Sequence, residues 1–167
     1  MGRLVDEVRL WNTPILGAFI LWRFTQGYCA GHPNGDAPTG LLHFVASAIL
    51  TNKKLLKPVN NQRDGLQSYA RSFEESKQSD ILLSIQQRVK DKREYTLASI
   101  DIAISEGLMV WDMESGKIYP RALSRTPSRG KALKAPIKRI GEQAEILGKW
   151  FSKHDLVTIE AYLKVVF

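Results

Sequence analysis

Two apolar blocks near the amino terminus dominate the hydrophobic pattern of the chain, one from Trp11 to Tyr28 and one from about Thr39 to Leu50. The first block runs from Trp11 to Tyr28, and its Thr13-Pro14 pair is a helix-start signal, because proline presets φ where no backbone donor is needed. We predict a helix from about Pro14 to Tyr28 with no wide polar stripe, since its apolar positions are Ile15, Leu16, Phe19, Ile20, Leu21, Trp22 and Phe24. A helix that is apolar all round must be covered all round, either in the centre of a core or by another protein.

Helical spacing of apolar residues continues along most of the chain. Leu66, Tyr69, Ala70 and Phe73, for example, stand at i, i+3, i+4 and i+7. A region of turn-forming residues, Gly31 to Pro38, separates the first two helices. Beyond the first helix, the predicted helices cover about Thr39 to Leu50, Gln62 to Glu75, Ser79 to Lys92, Glu94 to Glu106 (followed by Gly107 as a cap) and Lys138 to Ser152.

Two short strands are predicted in the second half of the chain. Leu108 to Trp111 and Lys117 to Tyr119 flank the turn Asp112 to Gly116, whereas the tail Leu156 to Phe167 fits either a short helix or a strand. The predicted fold class is therefore mainly α with a short β-hairpin (α+β), a compact helical domain containing a degenerate winged-helix-like unit. We expect a single domain, 1–167, with an apolar helical part (11–75), the helix-helix-hairpin part (79–120), a basic loop (121–137) and a C-terminal helix and tail (138–167).

A winged-helix unit raises the question of a helix that reads DNA. In the candidate helix, Glu94 to Glu106, we expect Leu97, Ile100 and Ile104 to face the core, which leaves an opposite face of Tyr95, Ser99, Ile102 and Glu106. That face has no Arg, Lys, Asn or Gln to contact base edges, and the helix carries three carboxylates that would meet phosphates. Tyr95 and Ile102 fit a protein contact better than sequence-specific readout.

Composition favours a reducing, aqueous compartment. The 167 residues include one cysteine, Cys29, which excludes an intrachain disulfide. Met1 to Val8 lacks the basic start and apolar core of a signal peptide, and the apolar run Pro14 to Trp22 is far shorter than the roughly 20 residues that span a bilayer. We expect a cytoplasmic protein without a membrane partner.

The positive charge of the chain is concentrated in one segment. The net charge is +7, from 24 Lys and Arg against 17 Asp and Glu, and residues 117–139 hold eight of the basic residues and no acidic one. Such a segment attracts polyanions without reading sequence, although a solvated loop or a surface for an acidic partner protein explains it as well. The candidate nucleic-acid-binding residues are Arg121, Arg125, Arg129, Lys131, Lys134, Lys138 and Arg139.

Motifs for catalysis or metal binding are incomplete. A P-loop around Gly130-Lys131 would need glycine where Arg125 stands and Ser or Thr where Ala132 stands. Asp112-x-Glu114-x-x-Lys117 echoes a nuclease core but falls on the predicted hairpin turn, and the spacing of Cys29, His32, Asp36 and His43 matches no zinc pattern. We therefore expect no catalytic residues, no metal site and no cofactor.

Several hydrophobic motifs resemble the middle component of bacterial three-component ABC (ABC-3C) systems, including Lamassu-type defence complexes. They are the Asn12-x-Pro14-x-Leu16 start, the Trp22-Arg-Phe-x-x-Gly-Tyr28 run, the stretch Leu41 to Leu50 and the basic stop Lys53-Lys-Leu-Leu-Lys-Pro58. The helix before Gly107, the Trp111 strand and the Gly148-Lys-Trp-Phe151 helix follow in the expected order, so the resemblance covers most of the chain.

The resemblance implies a small non-enzymatic subunit. It would bridge an SMC- or Rad50-like ABC ATPase and an effector, often a nuclease, in a complex that senses phage or plasmid DNA. From the residues themselves, we expect a partner to cover one side of the first helix or its Trp11 entry, because aromatic side chains are enriched at interface hot spots. The candidate partner-binding residues are Trp11, Phe19, Trp22, Phe24, Tyr28, Tyr95 and Ile102. For Trp11 and for each aromatic of the first helix, a place in the core is the alternative.

Overall fold

The fold is mainly helical, with one two-stranded antiparallel hairpin, which confirms the predicted fold class. The computed structural model describes residues 13–60, 63–122 and 135–167. In chain order, the elements are α1 (Pro14–Gly31), α2 (Gly40–Leu50), α3 (Lys53–Leu56), α4 (Leu66–Glu75), α5 (Ser79–Leu83), α6 (Ile85–Asp91), α7 (Arg93–Ser105), β1 (Met109–Trp111), β2 (Ile118–Pro120), α8 (Ala135–Phe151) and α9 (Leu156–Leu163).

Helix α1 is the central element of the core. It begins with Pro14 at its first position and ends at Gly31, where the His32 amide donates to the Tyr28 carbonyl. It packs chiefly against α8 and then against α7, with further contacts to α2 and β2. The apolar pattern of α1 is therefore explained largely by burial within this chain, while Ile15 remains 72% exposed.

Small residues allow the helices around α1 to approach it closely. A Cβ atom on Gly27 would lie under 3.0 Å from the Glu145 backbone, and one on Gly17 would collide in the same way with the Ser99 side chain. Gly141 lies against the Phe19 ring and Gly31 against Lys149, so α1 and α8 run side by side in the same direction. This close approach of the neighbouring helices removes much of the apolar surface of α1 from water.

The face that α7 turns toward the core differs from the prediction. Thr96, Ser99, Ile100 and Ala103 are buried, whereas Leu97 and Ile104 are 41% and 37% exposed. The prediction was right for Ile100 and wrong for the other two core positions. The reason is the close crossing at Gly17, because it accepts small side chains and turns the bulky ones outward.

The hairpin is fastened to the helical core. Its strands pair in the register Met109 with Pro120, Val110 with Tyr119 and Trp111 with Ile118. The Ile118 amide donates to the Pro38 carbonyl, and the Trp22 indole Nε1 donates to the Arg121 carbonyl. Met109 and Ile118 thus face the core, while Val110 and Tyr119 form an exposed pair on the outer face.

Several other elements differ from the expected bounds: α1 ends three residues later than predicted, α4 begins at Leu66 where Gln62 was predicted, and α3 was not predicted. The helix predicted from Ser79 to Lys92 is divided at Ser84 into α5 and α6, and the ambiguous tail contains a helix, α9. Helix α8 includes residues 135–137, which precede the predicted start at Lys138. The winged-helix-like unit stays a prediction.

Candidate interaction surfaces

Phe24 lies in the interior of this chain. Its side chain is 0% exposed, and its ring meets Phe151 edge to face at 5.4 Å and His43 at 5.5 Å between centroids. The sequence prediction that Phe24 binds a partner therefore conflicts with the accessibility of its side chain. The backbone of Phe24 also lies against Gly148, where the absence of a side chain lets α8 approach α1 closely.

Phe19, Trp22 and Tyr28 are partly buried and retain some surface. The Phe19 and Trp22 rings lie 6.3 Å apart, and Trp22 holds the end of the hairpin through Arg121. Tyr28 stacks on His32 with ring centroids 5.9 Å apart. These three side chains support the fold of this chain, and Tyr28 also lines a cleft that is open to solvent. Trp11 lies outside the described residues.

Tyr95 and Ile102 are partly buried on α7. The Tyr95 hydroxyl donates to the Thr13 carbonyl at 3.2 Å, which fixes the start of α1, and burial raises the Tyr95 pKa to about 12. Ile102 packs against the hydrophobic core. The sequence analysis placed both residues on the face of the helix opposite the core. In the structure both side chains are partly buried, and neither is completely enclosed.

A cleft lies beside Tyr28, one of the predicted partner residues. The cleft has a volume of about 410 Å³ and is lined by Tyr28, Asp36, Leu42, Lys117, Leu156 and Val157, among others. Asp36 and Lys117 form an ion pair at 2.5 Å, and the hydrogen bond from Lys117 holds the pKa of the Asp36 carboxyl below its ordinary value. This pair joins the loop before α2 to the hairpin and so fixes one wall of the cleft.

Exposed apolar side chains also line the cleft. Val157 is 72% exposed and Leu156 36% exposed, both in the first turn of α9. The turn is positioned by Asp155, whose side chain accepts from the Thr158 amide at 2.8 Å. Sequence reasoning missed these two residues because the tail fitted either a helix or a strand. The Asp155 cap followed by an apolar run was the available signal.

The candidate nucleic-acid-binding residues are divided between two places. Arg121 is exposed at the end of the hairpin, and Lys138 and Arg139 are exposed in the first turns of α8. Arg139 lines a groove with Lys53 and Lys57, which the sequence analysis did not place beside it. The remaining members of the set, Arg125, Arg129, Lys131 and Lys134, lie outside the described residues.

Asp112 and Cys29, two residues of the incomplete catalytic and metal motifs, lie within the described part of the chain. Asp112 accepts from the Glu114 amide and from the Ser115 hydroxyl, which closes the hairpin turn, as the turn interpretation of this motif predicts. Burial raises the pKa of the Cys29 thiol, which disfavours the nucleophilic thiolate. Within the described ranges, no three His, Cys, Asp or Glu side chains come together as a metal site would require.

His43 is fully buried beside Thr25. Its Nε2 lies 2.8 Å from the Thr25 hydroxyl, and its Nδ1 lies 3.1 Å from the Thr39 carbonyl oxygen. In a neutral ring that donates from Nδ1 to the Thr39 carbonyl, Nε2 accepts from the Thr25 hydroxyl, and the single proton of that hydroxyl is then not available to the Leu21 carbonyl oxygen 2.7 Å away. Burial lowers the pKa of His43 to about 4, so the residue is a neutral core histidine at physiological pH.

A comparison with models of known protein families identifies the family of this chain. A family model described as "ABC-three component (ABC-3C) system Middle Component 3" matches residues 1–167. The chain belongs to this family. No protein with curated annotation and no solved structure matches it.

Membership gives the surfaces described above a context. A middle component of an ABC-3C system is one part of a multi-subunit assembly, so this middle component has protein partners. The part of the chain that the structure describes contains no helix long and apolar enough to cross a membrane. The cleft beside Tyr28 is therefore a candidate contact surface for another component of the same system.

Proposed function

We propose that this middle component is a non-catalytic bridging subunit. It links an SMC- or Rad50-like ABC ATPase to a nuclease-like effector in a cytoplasmic, Lamassu-type complex that acts against phage and plasmid DNA in bacteria. The family match over residues 1–167 carries the proposal, because a middle component works through the proteins it assembles with. The choice of Lamassu type and of these two partners rests on the motif resemblance around Trp22 to Tyr28.

The cleft beside Tyr28 is the surface that we assign to the first partner. Val157 and Leu156 expose apolar area next to a partly buried aromatic ring, and the Asp36–Lys117 pair lies at the cleft. An apolar centre with polar groups around it is the usual anatomy of a protein interface. We expect an apolar side chain of the partner to occupy the space between Tyr28 and Val157.

A pair of matched variants tests this surface. Val157 and Ile15 are both β-branched, both 72% exposed and both at the second position of a helix. In pairwise co-purification with each of the other two components, we expect Val157→Asp to weaken one interaction about tenfold, and Ile15→Asp to leave both close to the wild-type level. Equal losses for the two variants would contradict the assignment of the cleft, and no co-purification of the wild-type chain with either component would contradict the bridging function.

Non-specific binding of DNA phosphates is the second candidate function. The exposure of Arg121, Lys138 and Arg139 favours it, since none of them has an ion-pair partner among the described residues. Duplex binding by the isolated chain would fall steeply with salt, and neutralising Arg125, Arg129 and Lys131 would abolish it. Anisotropy titrations of a labelled duplex at several salt concentrations measure both effects. The two functions are compatible if the basic segment, residues 117–139, contacts DNA within the assembled complex.

A further inference from the structure

A second concave surface lies between α3 and the first turns of α8. This groove has a volume of about 560 Å³, and residues far apart in the sequence line it: Lys53, Leu56, Lys57, Pro136, Arg139 and Ile140. Gln143 holds the two helices together, because its amide nitrogen donates to the Leu56 carbonyl at 3.2 Å and to the Val59 carbonyl at 2.9 Å. The groove is therefore part of the folded chain and does not need a ligand to form.

The groove combines an apolar lining with basic side chains. Its lining is mainly apolar, with Leu56 and Ile140 buried beneath it, and Lys57 and Arg139 exposed at it. Among the described residues that line it, none is acidic. A ligand that fits this surface carries negative charge on one side and apolar groups on another.

We propose that the groove binds an acidic, amphipathic segment of a partner protein, one of the other two components of the system. Apolar side chains of that segment would contact the surface above Leu56 and Ile140, while its carboxylates pair with Lys57 and Arg139. DNA fits less well, because a phosphate backbone needs cations but leaves an apolar lining without a partner. The inference rests on the proposed function, since it names the chemistry of a second contact made by a bridging subunit.

The position of the groove supports a bridge. The groove lies at the start of α8, and the cleft beside Tyr28 is lined by His154 to Val157, just after the end of α8. From Arg139, in the middle of the α8 residues that line the groove, to the end of α8 at Phe151, the helix axis extends roughly 18 Å. Two partners could therefore occupy them at the same time.

The basic segment of the same chain, residues 123–134, does not have the acidic composition that the groove favours. Residues 123–134 carry Arg125, Arg129, Lys131 and Lys134 and no acidic residue. Placing such a segment beside Lys57 and Arg139 would add like charges to a surface whose described lining residues include no acidic one. The electrostatic balance thus favours an acidic segment from outside this chain.

Photo-crosslinking in the assembled complex identifies the occupant directly. The probe is benzoylphenylalanine in place of Ala135, an exposed residue that lines the groove, with Gln67 on α4 as the control position. The full-length chain is co-expressed with the other two components, irradiated and analysed by mass spectrometry. We expect a crosslink from position 135 to a segment of one component in which Asp and Glu alternate with apolar residues at helical spacing, and no such crosslink from position 67. Crosslinks to DNA, to residues 1–12 of this chain or to a segment without acidic residues would overturn the proposal.

Charge reversal gives a second, independent readout. The groove variant is Lys57→Glu with Arg139→Glu, and the matched control is Lys90→Glu with Arg71→Glu, two exposed residues on α6 and α4 that change the net charge equally. Interaction with the component that carries the acidic segment should weaken at least about tenfold in the groove variant and change about twofold or less in the control. If the wild-type chain assembles and both variants assemble equally well, this inference fails while the bridging function stands. If the wild-type chain assembles with neither component, both fail.

Discussion

Gly148 lies directly against the backbone of Phe24, so closely that a Cβ atom on the glycine would come under 3.0 Å from the Phe24 carbonyl oxygen. The two residues mark the point where α8 crosses α1. Gly27, one turn further along α1, makes the reciprocal approach to the Glu145 backbone. Backbone-to-backbone contact of this kind leaves no flexible side chain that could move aside, so the crossing depends on glycine at both positions.

Gly148→Ala is expected to destabilise the isolated chain strongly. The added methyl group forces α1 and α8 apart and opens the packing around Phe24, which we expect to lower the free energy of unfolding by about 3 kcal/mol. Urea denaturation followed by circular dichroism measures the change. Gly65→Ala is the matched control, because a Cβ atom there would meet nothing within 4 Å, and it should change the stability by about 1 kcal/mol or less. Equal stability of the two variants would show that the helices are not packed as described.

Phe24→Ala distinguishes a core role from a partner-binding role. Because Phe24 is 0% exposed and packs edge to face on Phe151, its truncation should cost about 3–5 kcal/mol in the isolated chain. Val157→Asp should leave the stability of the isolated chain within about 0.5 kcal/mol of wild type, since Val157 is an exposed side chain. Thermal unfolding of both variants makes the comparison. A small effect of Phe24→Ala on stability, combined with lost assembly, would instead place this ring at an interface.

His43 makes the stability of the fold depend on pH. Its pKa is about 4 in the folded chain, against an ordinary value of 6.5, because burial disfavours the charged ring. Between these two values the unfolded chain binds the proton and the folded chain does not, so the stability falls as the pH drops from about 6.5 toward about 4. The slope from this group is at most about 1.4 kcal/mol per pH unit.

His43→Asn provides the control for this pH dependence. Asparagine does not titrate, so the free energy of unfolding of the variant should lack the part of the slope that His43 supplies, whatever its stability at pH 7. Urea titrations at several pH values between 4 and 7.5 compare the slopes of the two proteins. Parallel curves for wild type and variant would show that His43 is not held neutral in the core.

Local signals in the sequence predicted most elements of this fold. Pro14 marks the start of α1, and Gly107, with φ of +72°, follows α7 as the predicted cap. The division at Ser84 had no such signal, because residues 79–91 contain no glycine or proline. It reflects tertiary packing, since α5 contacts α3 and α4 while α6 contacts α2.

The covering of α1 could not be judged from apolar content alone. A projection of Ile15 to Phe24 shows that the helix must be enclosed, but it does not show what encloses it. The deciding signal was the small-residue spacing of Gly27 and Gly31 on α1 and of Gly141 and Gly148 on α8, which brings the two helices together. The same limitation explains why the groove could not be predicted from the sequence. It brings together Lys57 and Arg139, which are 82 residues apart, and no local sequence pattern indicates that they are neighbours.

The bridging function is tested most directly by the mass of the complex with and without this chain. The other two components are co-expressed and purified either with the middle component or without it, and the mass of each product is measured by light scattering after size exclusion. We predict one particle that contains all three components when the chain is present, and separate ATPase and effector particles when it is absent. A particle in which the other two components assemble equally well without this chain would contradict the account.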